Sequence, residues 1–294
     1  MVISEEVCFY IAKRLVLSRR AGDAGARKET FDEGSYREWR TSELRRQFLD
    51  NFDVSEIRHK DVLDFGCGEG GLSFLLAEFE PKSITGIDVI PDRVASAQKQ
   101  ALEGSQKVPL RFFLAGDDMS IDLPDSSVDV LLCFDVLEHI MNYEAIFREW
   151  WRVLRPGGRV LIWWVPWFHP YGHHVESLVP IPWAHVFFSD KSIIKTCARI
   201  YDMAEFMPRI WDMDESGRKK PNKWSGLDRL PDVNRLTMHR FETLIRNTGF
   251  TISRREAKGF GGGWLAKTTH SMLHMPVVRE FITASMVYVL EKKC

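Results

Sequence analysis

Residues 61–73 read DVLDFGCGEGGLS. Val62, Leu63 and Phe65 form a short apolar run of the kind that makes a buried strand. Gly66, Gly68, Gly70 and Gly71 then form a loop, and Leu72 to Phe79 opens a helical pattern. The segment is therefore a strand, a tight turn and a helix start. Glycines suit that turn because a ligand reaches the backbone only where no Cβ intervenes, and because the turn needs dihedrals that other residues resist. Gly66, Gly68 and Gly71 also satisfy G-x-G-x-x-G, so an NAD site is compatible with the glycines alone. Asp64 changes that balance. A carboxylate at the end of the first strand sits where a pyrophosphate would lie, and it repels a phosphate while attracting an ammonium group. Asp88, closing the next apolar run SITGIDVI, suits a ribose diol in either reading.

Further matching text follows in order: TGIDVIPDRV at 85–94, AGDDMSIDLPDSSVDVLLCFDVLEHI at 115–140 and RVLRPGGRVLIW at 152–163. With VLDFGCGEGG at 62–71, these blocks resemble the class I S-adenosylmethionine-dependent methyltransferases, most closely the small-molecule, type 11-like subgroup. The resemblance implies S-adenosyl-L-methionine as cofactor and S-adenosyl-L-homocysteine as product. It implies that Asp64, Gly66, Cys67 and Gly68 meet the methionine end and that Asp88, with Val89 beside it, meets the ribose. Asp117 would accept from the adenine amino group beside Asp118 and Met119, while Phe134, Asp135 and His139 would lie near the sulfonium. In this family a helical segment before the first core strand commonly closes over the cofactor, which makes Tyr36 and Arg40 candidates to cover its carboxylate end; an arginine fork binds a carboxylate in two places. His139 matches a signature present whatever the acceptor, so it reads as cofactor or loop architecture. An NAD-dependent dehydrogenase is the rival.

Composition sets bounds. At 294 residues the chain allows two domains or one core with insertions, and a net charge of −1 offers no basic footprint for nucleic acid. The five cysteines Cys8, Cys67, Cys133, Cys197 and Cys294 are scattered without a CxxC pair, which argues against a disulfide framework or a zinc site. No run of about 18 apolar residues suggests a membrane span, and the acidic start MVISEEV is no secretory signal. A cytoplasmic protein acting on a small molecule is expected, with a homodimer possible; residues 1–20 read as a helix with one apolar side, packed on the core or on a second subunit, with contact to a membrane surface as the alternative.

Between Lys60 and Trp164 strand and helix patterns alternate, which predicts an α/β fold. The expected sheet is Rossmann-like, with seven mostly parallel strands, an antiparallel edge strand and helices on both faces. A helical cap would occupy 1–55, the cofactor-binding core 56–165, an inserted substrate-binding lid 166–235 and the completion of the core 236–294. Within the last part a helix ending at Gly249, a GFGGG joint at 259–263 and a helix from Trp264 to Met275 are expected before a closing strand at the sheet edge.

The least ordinary stretch is VPWFHPYGHHVESLVPIPWAHVFF at 165–188. Its prolines forbid a long regular helix, and it follows the fifth strand at the rim where α/β sheets bind ligands. Trp167, Phe168, His169, Tyr171 and Trp183 are the substrate-binding candidates, because apolar walls exclude water while a few polar groups orient a nucleophile. His173, His174 and His185 are the candidates for a base, since an imidazole titrates near neutral pH. A metal held by His169, His173 and His174 is the sharper alternative and is set aside for want of neighbouring Cys or Asp ligands. Oxygen is the favoured methyl acceptor, with nitrogen, sulfur and carbon open. A non-catalytic docking protein is the reading from another class, but it predicts a damaged loop, and Asp64, the glycines and Asp88 are intact.

Overall fold

The computed structural model describes residues 4–22, 33–104, 106–116, 120–206, 208, 212–214, 216–231, 233–260 and 272–293. Seven strands form one sheet: β1 (Asp61–Phe65), β2 (Ser83–Asp88), β3 (Leu110–Leu114), β4 (Val128–Phe134), β5 (Leu154–Trp164), β6 (Phe250–Gly259) and β7 (Thr283–Lys292). They lie in the order β3-β2-β1-β4-β5-β7-β6. Strands β1 to β5 pair in parallel, and β7 pairs antiparallel with both β5 and β6. The expected fold class holds, with one refinement: the reversed strand β7 lies one place in from the edge and β6 forms the edge. Reversal of strand order between β1 and β4 puts the switch point, and any ligand crevice, beyond the carboxyl ends of those strands.

The parallel strands are buried on both faces and read as continuous apolar runs. One face packs against α5 (Tyr143–Val153) and α8 (Met238–Arg246) through Phe147, Trp150 and Phe241. The other packs against α2 (Glu33–Leu49) and α3 (Gly71–Leu76) through Leu44, Phe48, Leu72 and Leu75. Trp150 and Trp164 are fully buried, and their indole N–H groups find no hydrogen-bond acceptor among the described residues, so part of the gain from burying the rings is offset. Helix α4 (Pro91–Glu103) packs Val94 and Ala97 on Phe112.

One local expectation is corrected. The last core helix ends at Arg246 with Asn247 as its cap, so Gly249 is not the cap; a Cβ there would stand 2.4 Å from the Trp151 ring, and close packing is what demands the glycine. The turn Pro156-Gly157-Gly158 lies inside β5, looped out where the register jumps from Val128–Leu154 to Val130–Arg159. Of the expected GFGGG joint and the helix at 264–275, residues 261–271 lie outside the described residues; a short helix, Pro276–Ile282, precedes β7.

A second apolar cluster lies apart from the sheet. Cys8, Ala12 and Val16 of α1 (Glu5–Gly22) pack with Trp167, Val175, Val179 and Ile181, with Ala184 of the short α6 (Ala184–Phe187) and with Ile193, Cys197 and Ile200 of α7 (Asp190–Asp202). Ser189 caps α7 by accepting from Ser192 N at 3.2 Å. Glu5 pairs with Lys195, Glu6 pairs with Arg199, and the Arg199 guanidinium lies 3.6 Å from the Phe9 ring centroid. The stretch after α7 is packed too: Phe206, Trp224 and Leu230 join this cluster, and Tyr201 donates to the Lys220 carbonyl at 2.9 Å. The N-terminal segment is therefore divided, α1 belonging with the inserted lobe and α2 with the sheet.

Candidate functional site

The rim of the sheet is built by the residues that end β1, β2 and β4. Asp64 is buried and accepts from Ser73 Oγ of α3 at 2.6 Å. Burial, with Asp88 adding to it, pushes its carboxyl up to about 6. Asp88 accepts from Gly68 N at 2.8 Å and from Ile90 N at 2.9 Å, which ties the glycine loop to the end of β2. Gly66 has φ +77° and a Cβ there would lie 2.4 Å from Val136, so both conformation and space require glycine. Gly68 has φ +54° with nothing within 4 Å of its absent Cβ, so its open side faces room for a ligand. Cys67 is buried and Val89 is exposed.

Phe134 ends β4 buried against Phe48 and Phe52, so its ring anchors α2 to the sheet. Asp135 follows with φ +60°, its N–H donating to the Trp163 carbonyl at 2.9 Å. Its carboxylate accepts from Arg40 of α2 at 2.9 Å, and Arg40 also reaches Glu43 at 3.4 Å. That contact ties α2 to the residue that follows β4. Burial works against the Asp135 charge, but Arg40, Glu138 and His174 more than offset it and hold the carboxyl below the usual range. Tyr36 lies on α2, with its side chain outside the described part, and Asp117, Asp118 and Met119 lie outside the described residues.

Leu137–His139 forms a single 3₁₀ turn. Asn234, between the inserted lobe and α8, straps it: its side-chain amide donates to Leu137 O at 2.6 Å, Ile140 O at 2.7 Å and the Tyr143 hydroxyl, while its backbone N–H donates to Glu138 O at 2.9 Å. Glu138 is 3% exposed, and neither carboxylate oxygen accepts a hydrogen bond among the described residues. Burial, then the Asp135 charge, push its carboxyl well above the usual range. The His139 and His174 rings meet edge to face with centroids 5.5 Å apart, and both residues are exposed. Donor atoms of Glu138, His139 and His174 all lie within 4.8 Å of one another.

The histidines of the proline-rich loop divide. His174 reaches the rim; His173 and His185 do not share its surroundings. His173 is fully buried, with Nε2 3.3 Å from Ile181 O and Nδ1 accepting from Val175 N at 3.2 Å, so both nitrogens are engaged in holding the loop. Burial, then His185, lower it to about 3. His185 meets the Trp167 ring edge to face with centroids 4.4 Å apart, and burial lowers it to about 4. His169 accepts from Tyr171 N at 3.0 Å, faces Phe260 at 5.3 Å, and is lowered by burial to about 4. Phe168 stacks on Phe281 at 4.6 Å, and Trp183 donates to Phe168 O at 3.0 Å. His169, His173 and His174 therefore do not form the metal group considered from their spacing. A cleft bordered by Arg46, Asp50, Trp163 and Lys258 lies against α2 and contains none of the candidates.

Glu138 and Asn234 are the functional candidates that sequence reasoning passed over. Glu138 sits between the apolar Leu137 and the signature His139, and Asn234 lies in an unpatterned linker, so neither carries a local signal.

Residues 63–162 match a family described as methyltransferase domain. Over 120 residues the chain is 34% identical to phosphoethanolamine N-methyltransferase 3 of Arabidopsis thaliana, covering 41% of this chain and 24% of that protein. Over 101 residues it is 38% identical to a ubiquinone biosynthesis O-methyltransferase of Pseudomonas savastanoi pv. phaseolicola, covering 34% of this chain and 42% of that one. The matched stretch thus spans less than half the length of either relative. Among solved structures, the [4+2]-cyclase SpnF superposes with a TM-score of 0.50 at 18% identity, over 99% of this chain and 97% of that one, which is a likeness of fold.

Proposed function

We propose, for a chain whose residues 63–162 are a class I S-adenosylmethionine-dependent methyltransferase domain, that it transfers the methyl group of that cofactor to a small, partly apolar acceptor, at oxygen. The observation that carries the reading is Asp64: a buried carboxylate with one hydroxyl partner, beside a glycine loop whose Gly68 faces open space. A buried acid in that state gains most from a cationic group such as an α-ammonium, and a diphosphate would be repelled. The residues present fit the cofactor: Asp64 and the loop Gly66–Gly68 would hold its amino-acid end and Asp88 its ribose. Arg40, through Asp135, would close α2 over it.

When bound, S-adenosylmethionine supplies a methyl group on a sulfonium that leaves as a neutral thioether. What remains for the protein is to orient the acceptor, keep water out and accommodate the acceptor's proton. Phe168 and Trp183, both half-buried, supply apolar surface in the loop that follows β5, while Trp167 is taken up by the lobe's own core. His174 is the loop imidazole that reaches the rim, and the acceptor hydroxyl is placed against it. His173 and His185 have less support as bases, one being engaged at both nitrogens and both being held neutral by burial. Relatives named for both nitrogen and oxygen acceptors keep N-methylation as the second reading.

Calorimetry with S-adenosylhomocysteine tests the premise. One equivalent should bind, and Asp64→Ala should weaken binding at least about 100-fold, the order expected for removing a buried charge pair. Binding of NAD with no heat from S-adenosylhomocysteine would overturn the reading in favour of a dehydrogenase; no heat from either would favour a docking protein.

A further inference from the structure

A carboxylate that is 3% exposed and accepts no hydrogen bond among the described residues is an expensive arrangement, costing several kcal/mol unless a proton or a cation compensates it. Glu138 is that group. Its immediate neighbour in charge is a second acid, Asp135, whose Arg40 partner is shared with Glu43. While both are ionised, the two carboxylates have only acceptors to offer one another. Above them stand two imidazoles, His139 and His174, both exposed, which arrive from separate parts of the chain. One follows β4 on the 3₁₀ turn, and the other comes from the proline-rich loop with φ +55°. The turn is fixed by the Asn234 strap, so Glu138 and His139 are presented on a rigid element.

We propose that Glu138, His139 and His174 bind a divalent transition cation of the zinc type at the rim of the sheet. Two imidazoles and one carboxylate are a donor set of borderline softness that such ions accept, whereas magnesium and calcium prefer oxygen donors throughout. The three donor atoms lie within 4.8 Å of one another. Two donors about 2.1 Å from one ion are at most about 4.2 Å apart, so binding draws the exposed rings inward by roughly half an ångström. Three protein ligands leave coordination positions open on the solvent side, where a water or an acceptor oxygen fits. Resting on the methyltransferase reading, this assigns the acceptor class: a molecule offering a hydroxyl, alone or beside a second oxygen. The ion lowers the pKa of that hydroxyl, its proton leaves to solvent, and the cation-held oxygen becomes the nucleophile. This replaces a histidine base with a Lewis acid at the same place.

The test uses the full chain, stripped with a chelator and titrated with Zn²⁺ by calorimetry and with Co²⁺ by visible absorption, alongside S-adenosylhomocysteine binding. One equivalent of Zn²⁺ should bind, and Co²⁺ should develop d–d bands. Glu138→Gln, His139→Asn and His174→Asn should each weaken the ion at least about tenfold, and His59→Asn, an exposed histidine elsewhere, should leave it unchanged. Absence of stoichiometric binding, or binding unaffected by both Glu138→Gln and His174→Asn, overturns the site and leaves Asp135 and Glu138 sharing a proton. Glu138→Gln keeps the side-chain shape, and thermal melting checks that each variant folds. Loss of the ion with S-adenosylhomocysteine still bound fails this inference alone; loss of S-adenosylhomocysteine binding with the ion retained fails the methyltransferase reading alone.

Discussion

The sheet rim and the lobe beside it store buried charge in opposite ways. At the rim an acid, Asp64, is buried and its carboxyl is pushed up to about 6; in the lobe the imidazoles of His173, buried, and of His169 and His185, half-buried, are pushed down to about 3, 4 and 4. At the rim burial makes the charged acid costly, a cost that a cationic neighbour would offset. The lobe prefers its histidines neutral, which is a packing condition. Desolvation acts in both and disfavours the charged form in each, raising an acid and lowering an imidazole; what separates the two places is their surroundings, open space at Gly68 beside Asp64 against both His173 nitrogens engaged by backbone.

The sharpest way to break that contrast is at the glycines. Gly66→Ala should cost about 4 kcal/mol, because it combines a 2.4 Å clash with Val136 and a left-handed backbone, whereas Gly68→Ala meets open space and should cost only about 1 kcal/mol. Thermal melting separates the two, and Gly68→Ala should still lose S-adenosylhomocysteine affinity because its methyl enters the opening. Equal losses of stability would mean the Gly68 side is not open.

Next comes pH. Asp64 is raised in the folded state, so its contribution to stability is full below about pH 4 and lost as pH rises to about 6, by up to about 3 kcal/mol. The lobe histidines are lowered, so their contribution is full above about pH 6.5 and lost as pH falls towards 4. Melting curves across pH 4–7 should show Asp64→Asn removing the loss on the rising side and His185→Phe reducing it on the falling side. A profile unchanged by either substitution would dissolve the contrast.

Smaller effects sharpen it. Asn234→Ala should cost about 2 kcal/mol, because it leaves buried carbonyls and the Tyr143 hydroxyl with fewer partners, and it should loosen the turn carrying Glu138. Chemical denaturation and, if the cation site holds, Zn²⁺ affinity read both effects. Arg199→Ala should cost under about 1 kcal/mol, since its stacking on Phe9 is the contribution that survives solvent screening, and raising salt should change little beyond that.

The sheet was legible because its signals are local. Asp64, the glycines and Asp88 each fall at the end of an apolar run, and alternation of runs with helical patterns fixes a parallel sheet. The lobe was not legible for the converse reason: Cys8 and Cys197 meet across most of the chain, and the proline-rich loop has no period to reveal which side chains turn inward. His173 and His174 are neighbours in sequence and differ completely in space, one sealed with both nitrogens engaged and one exposed at the rim. Adjacent histidines look alike as text; only the backbone turn at His174, φ +55°, parts them.

The pairing of α1 with α7 also bears on how the chain is made. Residues 5–22 emerge from the ribosome well before residues 190–202, and at ordinary elongation rates the interval is on the order of tens of seconds. During that time Cys8, Ala12 and Val16 have no partner from α7 while the nascent sheet can already begin to form. A helper that shields short apolar helices during synthesis should therefore matter more for yield than for the stability of the finished molecule.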